Sequence, residues 1–231
     1  MNKIIIFLSD IFHKIIAFIK QISIVFFYFI VVVSLQLTFK RDVMSSNTWI
    51  ANISSIFIEL IVLTIFIFIF RKTIIPDYYE FKKNGKNYIK KSAIFWILGL
   101  IIMIISNLIL SNFIGTSVNE ELNQNLLERM PIYSSITMII VAPIVEELIT
   151  RVILKDTFKR PTFYVLTSGL IFGALHLFNI TSLEEIFYII PYGALGCSFS
   201  FIYYKTKNIW TSISFHSIHN AIALLLFFIG G

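Results

Sequence analysis

Glu146, Glu147 and Arg151 lie within six residues of one another, in a segment that is otherwise apolar enough to cross a bilayer. Insertion scales charge roughly 2.5–3.5 kcal/mol for each such residue at a helix centre. Charges persist there only when they pair, line a wet cavity or do chemistry. On a helix Glu147 and Arg151 are i,i+4 with the acid first, the favourable order for an ion pair. Glu146 projects about 100° away from Glu147. One carboxylate is therefore expected to anchor the helix through Arg151, and the other to stay available as a base. Pro143, one turn upstream, breaks the backbone ladder, which a membrane helix tolerates where it borders a cavity.

Two further segments carry matching polar groups. Phe172-Gly173-Ala174-Leu175-His176 follows a Gly169-x-x-x-Gly173 spacing that lets another helix approach closely. His216-Ser217-Ile218-His219-Asn220 places His216 and Asn220 on one helix face, with His219 partly sharing it. Taken singly, each has a structural explanation: an ion-pair clasp, or a histidine or asparagine hydrogen-bonding across a helix interface. Together, two histidines, an asparagine and a spare carboxylate at similar depth on three spans mark a site. A water between Glu146 and His176 would be activated by general base catalysis, and His216 and Asn220 would donate to the oxyanion of a tetrahedral intermediate. These are the parts for peptide-bond hydrolysis.

The elements that must hold these groups are helices in a membrane. Of 231 residues 57% are hydrophobic and only 14% charged, against about a quarter charged in soluble domains. The expected fold is all-α, a polytopic transmembrane helical bundle of about seven spans (six to eight fit the hydropathy): 21–38, 49–70, 92–114, 133–154, 162–179, 184–204 and 209–228. With the N-terminus inside, fifteen lysines and arginines fall on the inner side, seven of them in a 71–91 loop, and only Lys40, Arg41 and Arg129 on the outer side. The positive-inside rule then reads N-in, C-out. The net charge of +6 is thereby a topology signal, and nucleic acid is not an expected partner. The first twenty residues, with His13, read as an interfacial helix without a signal-cleavage site. Ser117–Met130, with Leu122, Leu126 and Leu127 on one face, reads as an amphipathic helix lying along the interface. Residues 1–115 form an N-terminal frame of the interfacial helix plus three spans, and residues 116–231 a core of four spans carrying almost all the intramembrane polar groups.

Other hydrolytic sites are excluded by what the chain lacks. There is no His-Glu-x-x-His motif, and Asp10, Asp42, Asp77 and Asp156 all fall at edges or loops. Cys197 is the single cysteine, which excludes an internal disulfide and any multi-cysteine metal site. It has no activating base nearby, and Ser198 and Ser200 lack a Gly-x-Ser-Gly setting; all three read as small packing residues beside Gly193 and Gly196. Glu59, alone in the second span, reads as a protonated or hydrogen-bonded helix contact, or as a second partner for Arg151.

Glu146-Glu147-x-x-x-Arg151, Phe172-x-x-x-His176 and His216-x-x-x-Asn220, in this order, resemble the CPBP family of CAAX-protease and bacteriocin-processing intramembrane endopeptidases, also known as the Abi family. The resemblance covers roughly residues 130–228. It implies that Glu146 is the catalytic glutamate, His176 its partner on the water, and His216 and Asn220 the oxyanion hole, with Glu147, Arg151 and Phe172 supporting. It also implies a cavity open to the cytosol and a metal-independent mechanism with no cofactor, although Glu146, His176 and His216 could in principle hold zinc. The expected partners are the lipid bilayer and a membrane-associated peptide or protein tail, in a multi-pass protein of the cell membrane, with the Ile/Lys/Asn/Phe-rich composition suggesting a bacterial one. Bacteriocin or pheromone precursors, a self-immunity role and prenylated CAAX tails are all open as substrate assignments. Two different readings stay open beside the peptidase: a non-proteolytic membrane scaffold or regulator, and a transporter, for which no inverted repeat is visible.

Overall fold

The computed structural model describes Ser23 and residues 48–155, 157, 158 and 160–230, with side chains from residue 53 onward in the main body. The expected interfacial helix and first span, residues 1–38, lie outside the described residues apart from Ser23. The chain divides into two units, Met1–Ala51 and Asn52–Gly231, and every contact below lies within the second.

Among the described residues the chain is helical and has no strand. Helix α1 spans Thr48–Ile69, α2 Arg71–Ile114, α3 Val118–Arg129, α4 Pro131–Val152, α5 Pro161–Leu175, α6 Ile189–Thr206 and α7 Ile209–Gly230, with a 3-10 turn, Leu183–Tyr188, leading into α6. Among the described residues four segments are long and apolar enough to cross a membrane: α2, α4, Leu183–Thr206 and α7; Ile53–Ile69 and α5 are shorter apolar helices. Large apolar side chains such as Leu108, Phe113, Leu226 and Ile229 face outward, as lipid-facing helices require. The chain is a polytopic helical membrane protein, as its hydropathy predicts.

Two elements differ from expectation. The basic 71–91 segment is helix rather than loop, and it runs without a break into the apolar stretch to make the 44-residue α2. Lysine is a good helix former, and the segment is fastened at its start to α7. Asp77 Oδ2 accepts from the Ile209 amide at 2.8 Å, Asn208 Nδ2 donates to the Asp77 carbonyl at 2.7 Å, and Trp210 Nε1 donates to the Ile74 carbonyl at 2.9 Å. Charge pattern alone carries no sign of that clamp. The fifth helix is also shorter than the expected 162–179. Its 15 residues reach only about 22 Å at 1.5 Å each, so His176 lies at its C-terminal end. There the His176 amide bonds the Gly173 carbonyl and the Leu177 amide the Ala174 carbonyl, tightening the last turn.

Glycines set the closest packing. A Cβ on Gly196 would lie 2.8 Å from both the Gly169 carbonyl oxygen and Phe172 Cβ, and one on Gly169 would lie 2.3 Å from Cys197 Sγ. Helices α5 and α6 therefore touch backbone to backbone, the role expected of Gly169 and Gly173. Helix α2 packs against α6 and α7. Phe172, Leu195, Phe199, Ile202 and Phe215 form the core, with Phe95, Trp96 and Met103 of α2 laid on it.

Candidate active site

The centre of the site is α4, which departs from α-helical winding twice. Thr137–Val141 and Leu148–Val152 are π turns on either side of Ala142–Glu147. Such turns occur mostly as single bulges, often at functional positions. The first has a direct cause. The Ala142 amide bonds the Thr137 carbonyl, and the residue five beyond Met138 is Pro143, which has no N–H to give. The Met138 carbonyl instead accepts Asn220 Nδ2 at 2.8 Å. The expected break at Pro143 is thus filled by a side chain from α7.

Glu147 and Arg151 are both fully buried and form the expected clasp, with Arg151 Nε 2.9 Å from Glu147 Oε2 and Nη2 3.0 Å from Oε1. This bidentate geometry is the strong form of the interaction. Ser212 donates to Glu147 Oε2, and His216 Nδ1 lies 3.1 Å from Oε1. Arg151 Nη1 donates to Ser168 Oγ at 2.8 Å, Ser168 Oγ donates to the Thr150 carbonyl at 2.5 Å, and Ser200 Oγ donates to Ser168 Oγ at 2.8 Å. The buried charges are therefore saturated with partners, as burial demands.

Phe172 is the hub. Its ring lies 5.1 Å under the Arg151 guanidinium and 4.7 and 5.4 Å from the rings of His176 and His216, and Phe199 stacks on His216 at 4.9 Å. Both histidines have their tautomer set by acceptor-only partners. His176 Nδ1 is 2.9 Å from the Phe172 carbonyl, so Nδ1 carries the proton and Nε2 is left to accept. His216 Nδ1 likewise donates to the Glu147 carboxylate. A donor role for His216 Nε2 therefore requires the imidazolium.

Glu146 stands apart. Its side chain is 20% exposed, and Oε2 lies 3.9 Å from His216 Nε2. It belongs to neither the Arg151 fork nor the serine shell. The structure thus gathers Arg151, His176 and His216 around the Phe172 ring, with Glu147 and Glu146 beside His216 and Asn220, one helical turn beyond His216, bonded to the π turn. It does not bring Glu59 to Arg151. Tyr133 Oη and Thr137 Oγ1 each donate to Glu59 at 2.6 Å, which makes it the hydrogen-bonded helix contact of the simpler reading. Among the described residues no three His, Cys, Asp or Glu side chains are gathered as a metal site.

Sequence reading missed the serine shell. Ser212 lies four residues before His216 and Ser168 four before Phe172, the same helical spacing that linked the motif residues, so the signal was available. Ser200 was read as packing and is a hydrogen-bonding member of the shell. Tyr192, which stacks on His176 with ring centroids 4.6 Å apart, had no such signal.

A multi-pass helical bundle with this buried cluster defines a membrane protein whose C-terminal half carries a candidate hydrolytic site. Residues 128–222, which contain all three motifs, match the family described as Type II CAAX prenyl endopeptidase Rce1-like. The chain is 28% identical over 113 residues to the protein described as "Putative membrane peptidase YdiL" of Bacillus subtilis (strain 168), a match covering 48% of this chain and 43% of that protein. The chain thus matches less than half the length of this relative. No solved structure matches. The matched family's description names a prenyl endopeptidase and the relative's a membrane peptidase.

Proposed function

We propose that the chain is an intramembrane endopeptidase in which Glu146 activates a water to hydrolyse a peptide bond of a membrane-associated peptide or protein tail. The observation that carries this reading is the separation of the two carboxylates. Glu147 is saturated by Arg151, Ser212 and His216, while Glu146 is partly exposed beside His216 Nε2 at 3.9 Å. In this mechanism the water gives one proton to Glu146 and a hydrogen bond to His176 Nε2, and its oxygen attacks the scissile carbonyl. The oxyanion accepts from the His216 imidazolium and from the second N–H of Asn220 Nδ2. Glu146 returns the proton to the leaving amine as the C–N bond breaks. The chemistry runs through protein side chains, without a metal.

The substrate is a peptide held at the membrane. The family description names prenylated CAAX ends; the Bacillus relative supports a bacterial plasma membrane, where bacteriocin or pheromone precursors, with a self-immunity role, are the better candidates. The test compares the membrane peptidomes of strains carrying the wild-type chain and Glu146→Gln. Precursors accumulate in the variant at equal protein level, and chelation leaves wild-type cleavage intact. Unchanged processing by Glu146→Gln overturns the proposal and points to a scaffold.

A further inference from the structure

His176 sits where a helix is least able to hold a side chain. It is the residue after the last turn of α5, and one hydrogen bond, from Nδ1 to the Phe172 carbonyl, fixes its ring to its own helix. Its ring is stacked on Tyr192 with centroids 4.6 Å apart and planes 19° apart. Tyr192 in turn is held at its far end: its hydroxyl is 2.9 Å from Ser117 Oγ and accepts from Asn119 Nδ2 at 3.2 Å.

Those two partners open the α3 helix. Ser117 is its N-cap, with Oγ also accepting from the Glu120 amide at 3.2 Å. The Val118 amide donates to Glu185 Oε2 at 3.3 Å, while Glu185 Oε1 accepts from the Thr181 amide at 3.0 Å and the Thr181 hydroxyl at 2.8 Å. Tyr188 Oη donates to the Gly115 carbonyl. The segment 115–119 is thereby tied to 181–192 by four hydrogen bonds, and the tie ends on the histidine ring. An aromatic stack prefers offset parallel planes, so fixing the tyrosine plane fixes the imidazole plane.

We propose that Tyr192 is a positioning residue for His176, orienting its ring so that Nε2 meets the water, and that the α3 N-terminus sets this orientation from outside the motif helices. This rests on the peptidase reading for its functional consequence, and on the stack alone for its structural one. Nothing in the three motifs specifies it, and residues 115–119 precede the matched segment altogether.

The test uses the full-length protein in nanodiscs, labelled with 15N-histidine, as wild type, Tyr192→Leu, Tyr192→Phe and Ser117→Ala. Histidine 15N shifts report the tautomer, and ring-proton shifts report the aromatic stack. Wild-type His176 shows one Nδ1–H tautomer and an upfield ring-proton shift. Tyr192→Leu loses the upfield shift and averages the tautomers. Tyr192→Phe keeps the stack, and with Ser117→Ala it shows a smaller change. With a precursor that accumulates in the Glu146→Gln strain as probe, kcat falls roughly tenfold to hundredfold in Tyr192→Leu, the range for a misplaced catalytic group, while KM changes little. His176 signals unaltered in Tyr192→Leu overturn the proposal. So does a KM rise at constant kcat. A failure of the peptidase reading shows instead as processing by Glu146→Gln and leaves the NMR result standing.

Discussion

Replacing Arg151 by methionine isolates the clasp from the catalyst. The Glu147 carboxylate is fully buried and has four donors: two Arg151 nitrogens at 2.9 and 3.0 Å, the Ser212 hydroxyl and His216 Nδ1 at 3.1 Å. Arg151→Met removes two donors and the compensating cation. Breaking a buried pair by deleting one partner costs about 3–5 kcal/mol, and the remaining donors place this case near the lower end, about 3 kcal/mol. Glu147→Leu strands the guanidinium instead, with only Ser168 to receive it, and costs a similar amount. The double variant removes both charges and loses less than the sum, because a buried pair exchanged for apolar side chains is often neutral. His216 Nδ1 loses its acceptor and keeps it from full recovery, since an unmet buried group costs about 1–3 kcal/mol, whereas Ser168 keeps the Thr150 carbonyl and Ser212 the Phe199 carbonyl. The assay is reversible unfolding of the full-length protein in bicelles on addition of denaturing detergent, with Glu146→Gln as control. The control stays within about 0.5 kcal/mol of wild type, as expected of a partly exposed side chain outside the network. Additive single losses, or a control as unstable as Arg151→Met, would refute the division of the two glutamates into anchor and base.

Other outcomes follow from the same geometry. Asn220→Ala leaves the Met138 carbonyl without its donor, costing about 1–3 kcal/mol, and lowers cleavage by about 10²–10³ if Nδ2 also serves the oxyanion; stability loss with normal turnover assigns it to structure alone. Glu59→Leu removes the acceptor that the Tyr133 and Thr137 hydroxyls share and lowers stability by about 1–3 kcal/mol while cleavage persists, so inactivity at full stability would place Glu59 in the reaction. Gly196→Val forces α5 from α6, because the first added carbon already lies 2.8 Å from the Gly169 carbonyl. A lower unfolding midpoint, by about 1–3 kcal/mol or more, checks it. Chelation leaves turnover unchanged, whereas loss restored by zinc would replace the glutamate mechanism with a metal one.

The clasp was legible in the sequence because i,i+4 spacing is a local property, and Glu147–Arg151 needs nothing from the rest of the fold. The approach of α5 to α6 was legible for a similar reason, since Gly169 and Gly173 remove the side chains that would prevent it. Glu59 read as a hydrogen-bonded helix contact without named partners, because its donors Tyr133 and Thr137 lie 74 and 78 residues away and an isolated acid says nothing of who meets it. The helical state of 71–91 was hidden by charge: seven basic residues read as a loop at the membrane surface, whereas the clamp from Asp77 to Asn208 and Ile209 is a tertiary contact across more than 130 positions. The early end of α5 escaped for a different reason. Leu177, Phe178 and Ile180 continue the apolar run past His176, so hydropathy extends the span where the backbone already turns.

The three side chains proposed to act beside Glu146 share a feature that spacing does not specify. His176 Nδ1 meets the Phe172 carbonyl, His216 Nδ1 meets the Glu147 carboxylate, and Asn220 Nδ2 meets the Met138 carbonyl. All three partners only accept, so each contact dictates which atom of the ring or amide carries hydrogen. What remains on each side chain is then determined: an accepting Nε2 on His176, an Nε2 on His216 that donates only when the ring is cationic, and one N–H on Asn220. Glu147 and Pro143 thus act through polarity, the first by accepting one histidine N–H and the second by leaving a carbonyl for the asparagine. Glu146 is the exception, since among the described residues no hydrogen bond fixes its carboxylate. A group that must take a proton and then return it is the one member that gains from being left unfixed. This asymmetry, more than the presence of two acids, is the reason to assign the base to Glu146.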